Sequence, residues 1–112
     1  MNEPSPQVPE GAAVFPLIPA ELGIHPLLLA TLHSVVFFDG SADDVVNDAA
    51  ADEALQYVAT YLQRLSGPEL KRIHEDLECL QAFARQEKWP KEEVEFLKNF
   101  LRDFGAGTDV PA

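Results

Sequence analysis

Basic residues are scarce in this chain. Eight lysines and arginines stand against nineteen acids, for a formal net charge of −11. The shortage is worst early: residues 1–67 hold nine acids and one base, Arg64, while residues 68–112 hold ten acids and seven bases. A field of that sign repels a phosphate backbone and an anionic membrane surface, so neither nucleic acid nor membrane is an expected partner. A lone cysteine, Cys79, excludes an intrachain disulfide. The opening Met-Asn-Glu-Pro-Ser-Pro lacks the basic residues of a secretory leader. Both features point to a reducing, cytoplasmic setting. The uncharged stretch from Leu22 to Phe38 reaches only the lower limit of a membrane span, contains His25, Pro26 and His33, and has no basic flank. It reads as a buried core helix.

Motifs that carry chemistry are missing too. The three histidines, His25, His33 and His74, form no His-Glu-x-x-His or Glu-x-x-His pattern. A calcium frame counted from Asp39 fails twice. It has Asp44 where the turn needs glycine and Ala50 where the ion needs a bidentate glutamate. Cys79 and His74 project from well-separated sides of one helix, and Ser34 beside His33 cannot pair with it within a helix. There is no Gly-x-Ser-x-Gly elbow and no glycine-rich phosphate loop. No catalytic, cofactor-binding or metal site is expected, and the chain reads as a non-enzyme. Two Pro-x-x-Pro spacings, Pro6 to Pro9 and Pro16 to Pro19, lack the basic neighbour that such ligands usually carry. The segment from Lys88 to Gly105 resembles the first helix of a Myb or SANT repeat. The later tryptophans and the recognition helix of that family have no counterpart, so Trp89 reads as a packing residue at a helix start.

What the chain does have is helical periodicity. Pro26 can open a first helix at no hydrogen-bond cost, with Ile24 and Leu29 as a hydrophobic staple. That helix is apolar nearly all round to Phe38 and stops near Gly40, the pattern of a central helix covered on several sides. A second helix capped by Asp48 presents Ala51, Ala54, Leu55, Val58, Tyr61, Leu62 and Leu65. Ser66-Gly-Pro-Glu69 reads as a capping box opening the third helix, and so short a link predicts a hairpin of helices two and three. The third presents Leu70, Ile73, Leu77, Leu80 and Ala84, and Pro90 ends it near Lys88. The fourth spreads Val94, Phe96, Leu97, Phe100, Leu101 and Phe104 over an arc wider than one neighbour usually covers, and Gly105 stops it.

The expected fold is therefore all-α: a small four-helix bundle with an extended, proline-containing N-terminal arm. Residues 1–11 read as a disordered tail, 12–105 as one helical domain whose apolar arm is 12–24, and 106–112 as a C-terminal tail. The arm and the wide fourth-helix face exceed what one small bundle comfortably covers. This predicts a protein-interaction or self-association module, most simply a homodimer meeting through Phe15, Leu17, Ile18, Phe96, Phe100 and Phe104. The competing arrangement has the arm folding back on those phenylalanines within one chain. The alternative function is an acidic adaptor, or a decoy mimicking nucleic-acid charge, that binds a basic protein through Asp39, Asp43, Asp44, Asp48, Asp52 and Glu53.

Overall fold

Pro26 opens α1 (Pro26–Gly40) in the computed structural model, which describes residues 10–106. The readings for residues 1–9 and 107–112 lie outside the described residues. Three further helices follow: α2 (Asp48–Leu62), α3 (Gly67–Gln86) and α4 (Lys91–Asp103). Among the described residues there is no strand, and the fold is the all-α four-helix bundle that the periodicity predicts.

The helix ends show how local chemistry sets the boundaries. His25 caps α1, its Nδ1 accepting from the Leu27 N–H at 3.1 Å. Asn47, one residue before the expected Asp48, caps α2 through a bond from the Ala50 N–H. Ser66 occupies the N-cap of α3, but its side chain makes no capping bond. The expected capping box is therefore not formed. Gly67 with φ +56° and Pro68 turn the chain there instead. Both α3 and α4 end in Schellman motifs. In α3, Lys88 N–H bonds to Arg85 and Trp89 N–H to Ala84. In α4, Gly105 N–H bonds to Arg102 and Ala106 N–H to Leu101.

The pairing of helices departs from expectation. α2 and α3 form no side-by-side hairpin; the closely packed pairs are α1 with α2 and α3 with α4. The extended Ser66 and left-handed Gly67 set the direction in which α3 leaves α2. The end of α2 is tied to the end of α4 instead, because Gln63 donates from Nε2 to the Phe104 carbonyl at 2.8 Å.

The arm supplies the missing cover. The Ala13 N–H donates to Ser41 Oγ and the Ala42 N–H to the Gly11 carbonyl, which pins the arm to the end of α1. Gly40 permits this approach, since a Cβ there would lie 2.9 Å from the Ala13 methyl. Phe15, 2% exposed, then drops between the halves of the bundle. Its ring meets His33 of α1 at 5.1 Å, Trp89 at 5.5 Å and Phe96 of α4 at 6.4 Å, all edge-on. Ile18 and Ile24 are buried beside it in the same core as Leu32, Leu80, Leu97 and Phe100. Gly11 and Ala106, both read from the sequence as tail, are held: Gly11 by its bond to Ala42, Ala106 by burial as the residue that closes the α4 Schellman motif.

A polar clamp fixes the entry to α1. Asp76 of α3 is the one buried charged residue among those described. Its carboxylate accepts from the His25 N–H at 3.0 Å and from Arg72 Nε at 3.0 and 3.1 Å, while Arg72 Nη2 donates to the Gly23 carbonyl. A carboxylate at a helix start also meets the positive end of the helix dipole.

Lys88 carries the one strained backbone conformation on a non-glycine residue among the described residues, φ +60°. A left-handed conformation costs an L-residue roughly 1–2 kcal/mol. Replacement by glycine returns about 0.4–1 kcal/mol of that through the freer unfolded chain. Lys88→Gly is expected to stabilise the protein by about 0.5–1 kcal/mol, read as a higher urea midpoint with an unchanged slope. A lower midpoint would mean that the turn is not formed as described.

Candidate functional site

The residues expected at a dimer contact divide sharply. Phe15, Ile18 and Phe100 are buried within one chain, and Phe96 and Phe104 are half-buried in the same aromatic series: Phe96–Phe100 at 5.6 Å and Phe100–Phe104 at 5.1 Å. Leu17 stands apart, 90% exposed. Phe15, Ile18 and Phe100 are thus covered within the chain, the arrangement in which the arm folds back on the phenylalanines. The wide face of α4 has two neighbours in its own chain, α3 on the Leu97 and Leu101 side and the arm on the Phe96 side. Burying a phenylalanine side chain removes from water what a partner would otherwise cover, about 1.5–3 kcal/mol in each case.

The uncovered apolar surface lies elsewhere. Every large apolar side chain left exposed among the described residues belongs to the arm, α1 or α2: Val14, Leu17, Leu27, Phe37, Tyr57 and Tyr61. None belongs to α3 or α4. On α1, Leu27, Ala30, Ser34 and Phe37 recur at helical spacing and form one outward stripe without a charge. α1 is covered on several sides, as its composition predicts, but this side stays open: Leu28, Leu32 and Val35 are buried, while Leu27 is 72% exposed.

Beside that stripe runs a groove. Leu27, Ala30, Thr31 and Ser34 of α1 face Val58, Tyr61, Leu62 and Leu65 from the C-terminal part of α2 and its exit. The two helices therefore run antiparallel. Toward the start of α1 the groove deepens to about 440 Å³, with Leu28, Pro68 and Ile73 added to its walls and His25, Glu69 and Arg72 at its end. The Arg72–Asp76 clamp thus forms one end of the groove as well as anchoring α1. Periodicity alone could not find this feature. It depends on α2 covering only one side of α1, and on Tyr57 and Tyr61 remaining outside.

The acidic residues gather at the other end. Asp39, Asp43, Asp44, Asp48, Asp52 and Glu53 are all exposed. Asp39 lies in the last turn of α1, Asp43 and Asp44 in the connector, and Asp48, Asp52 and Glu53 in the first turns of α2. A carboxylate in a first turn normally gains from the helix dipole. Asp48 is nonetheless raised above the ordinary carboxylate value of 3.8, chiefly by the charge of Asp43, then by a hydrogen bond with Asp43, slight desolvation and the charge of Asp52. In the calcium frame counted from Asp39, the first position lies in the last turn of α1, and the side chain at the ninth, Asn47, caps α2. Among the described residues, no group of three His, Cys, Asp or Glu side chains is placed to hold a metal ion. Cys79 is half-buried against the core. No described helix is long and apolar enough to cross a membrane.

Compared with known proteins, the chain matches no family model, no curated protein and no solved structure.

The Asp43–Asp48 contact has a pH signature. Because the fold raises the Asp48 pKa, it favours the protonated acid. That contribution is fully present below 3.8 and is lost as pH rises through the raised value. Asp43→Asn removes the largest cause. The Asp48 side-chain carboxyl signal, followed by NMR, is expected to titrate closer to 3.8 in that variant, and thermal stability at neutral pH is expected to rise slightly. An unchanged Asp48 titration would show that the two carboxyls do not meet.

Proposed function

We propose that this protein is a non-enzymatic helical interaction module whose binding face is the outward surface of α1 and α2. One observation carries the reading: the large apolar side chains left in water all lie on the arm, α1 and α2, and a groove joins Leu27 of α1 to Tyr61 of α2. Contiguous apolar surface with a polar rim is the usual mark of a binding face. Helix-in-groove recognition uses such a surface, with anchors spaced at helical intervals. Self-association belongs to the same proposal, but through Leu27, Ser34 and Tyr61 in place of the buried phenylalanines.

The second reading, an acidic adaptor or nucleic-acid-mimicking decoy for a basic partner, is favoured by the six carboxylates of the α1–α2 end, crowded enough to shift Asp48. The two readings differ in what they require. The first needs Leu27 and tolerates salt. The second needs Asp48 and Asp52 and is lost in salt.

Leu27→Asp separates them without touching the core, because the side chain it replaces is mostly in water. Affinity capture from a native lysate, paired with light scattering of the purified protein, is expected to show bound proteins, or self-association, for the parent and neither for Leu27→Asp. Far-ultraviolet circular dichroism should stay unchanged. Retention of every bound species by the variant, with loss on raising salt, would replace the first reading by the second.

A further inference from the structure

We infer that the occupant of the α1–α2 groove is an amphipathic helix of another protein, apolar on one face and basic toward one end, rather than a second copy of this chain. The inference rests on the interaction-module reading and adds the chemistry of the partner.

The groove has polarity along its length. At the end where α1 begins, Arg64 lies 4.8 Å over the Tyr61 ring, Glu69 opposes it in charge, and Arg72 is already neutralised by Asp76. That end is close to electrically balanced. At the other end, α1 finishes and α2 starts, and all six carboxylates from Asp39 to Glu53 lie there without a base between them. The ridge Glu53, Tyr57, Tyr61 on α2 runs at four-residue spacing from the acidic end into the groove wall, so apolar and acidic surfaces are continuous. Tyr57 shares a shallow cleft with Asp52 and Glu53 at that end.

The length of the groove suits a short helix. α1 spans 15 residues, or roughly 22 Å at helical rise, which is about four turns of a partner. Such a helix lays its leucine-like face over Leu27, Thr31, Val58 and Tyr61 and sets lysines or arginines against the carboxylates. Its positive N-terminal dipole end is also favoured toward them. A second copy lacks this complement. Two-fold apposition repeats the same surface on both sides, and the bases at this face are Arg64, stacked on Tyr61, and Arg72, paired with Asp76. A two-fold axis along the groove sets carboxylates against carboxylates, and one across it brings them no cluster of bases, whereas a basic helix adds attraction. Like charges placed across an interface are a recognised means of excluding a wrong partner.

Synthetic peptides of about four helical turns test this on the full-length protein. One carries leucines at i, i+3, i+4 and i+7 with lysines in its N-terminal turns; a second has those lysines replaced by glutamates. Isothermal titration and NMR shift mapping are expected to show the basic peptide binding at Leu27 and Tyr61, at least about tenfold tighter than the acidic one. Leu27→Asp should abolish binding, and the Asp48→Asn, Asp52→Asn double variant should narrow the tenfold preference. Equal affinity of the two peptides, or light scattering that shows a dimer dissociated by Leu27→Asp, overturns the inference and leaves the interaction face standing. Failure of both peptides to bind in a Leu27-dependent way overturns the face itself.

Discussion

The insertion of the Phe15 ring between α1 and the α3–α4 pair is the contact on which the remaining structure depends. One side chain meets His33, Trp89 and Phe96, and so touches α1, the α3–α4 link and α4 at once. It also settles two surfaces at once. The arm, which cannot form a regular helix through Pro16 and Pro19, obtains a groove to lie in. The broad face of α4 obtains the second neighbour that α3 alone cannot supply. The hydrogen bonds of Gly11 and Ala13 at the end of α1 hold the arm at one end, and the Arg72–Asp76 clamp holds Gly23 and His25 at the other. Phe15 and Ile18 are pulled inward between those two fixed points, while Val14 and Leu17, which alternate with them, are left outside.

Because the arm covers one flank of α1 and α2 covers another, a third flank stays open. This is the physical origin of the Leu27, Ala30, Ser34, Phe37 stripe. The two halves of the molecule consequently differ in character. α3 and α4 pack closely, end in paired Schellman motifs and face water with mixed charges. α1 and α2 present uncharged surface next to a one-signed cluster of carboxylates. The proposed role draws on that asymmetry: a closely packed half with mixed surface charge, and a half with uncovered apolar surface beside one-signed charge.

Much of the fold was legible from residue order. Pro26, Pro68 and Pro90 mark helix starts, and Gly105 a stop, because each acts through its own backbone. The apolar stripes of α3 and α4 followed from spacing alone. Pairing was not legible. A helical stripe states that a face needs cover and is silent on which element provides it, so the short α2–α3 link suggested a hairpin that the Gly67 turn does not make. The same gap hid the arm's destination, leaving Phe15 and Phe100 as candidates for a dimer contact when they pack within one chain. Asp76 was invisible because its partner besides Arg72 is the backbone N–H of His25, 51 residues away in sequence. The acidic cluster was fully legible, since charge density is a property of composition. The groove was not, since it arises from a side of α1 that nothing covers.

The most direct measurement is an isotope-filtered NOE experiment on an equal mixture of labelled and unlabelled protein. If the arm packs on its own chain, the Phe15 ring gives strong NOEs to Trp89 and Phe96 within the labelled molecule, and the filtered spectrum, which reports only contacts between chains, shows none for these pairs. Filtered cross-peaks from Phe15 to Trp89 or Phe96 would place the arm on a second molecule and contradict the account at its centre.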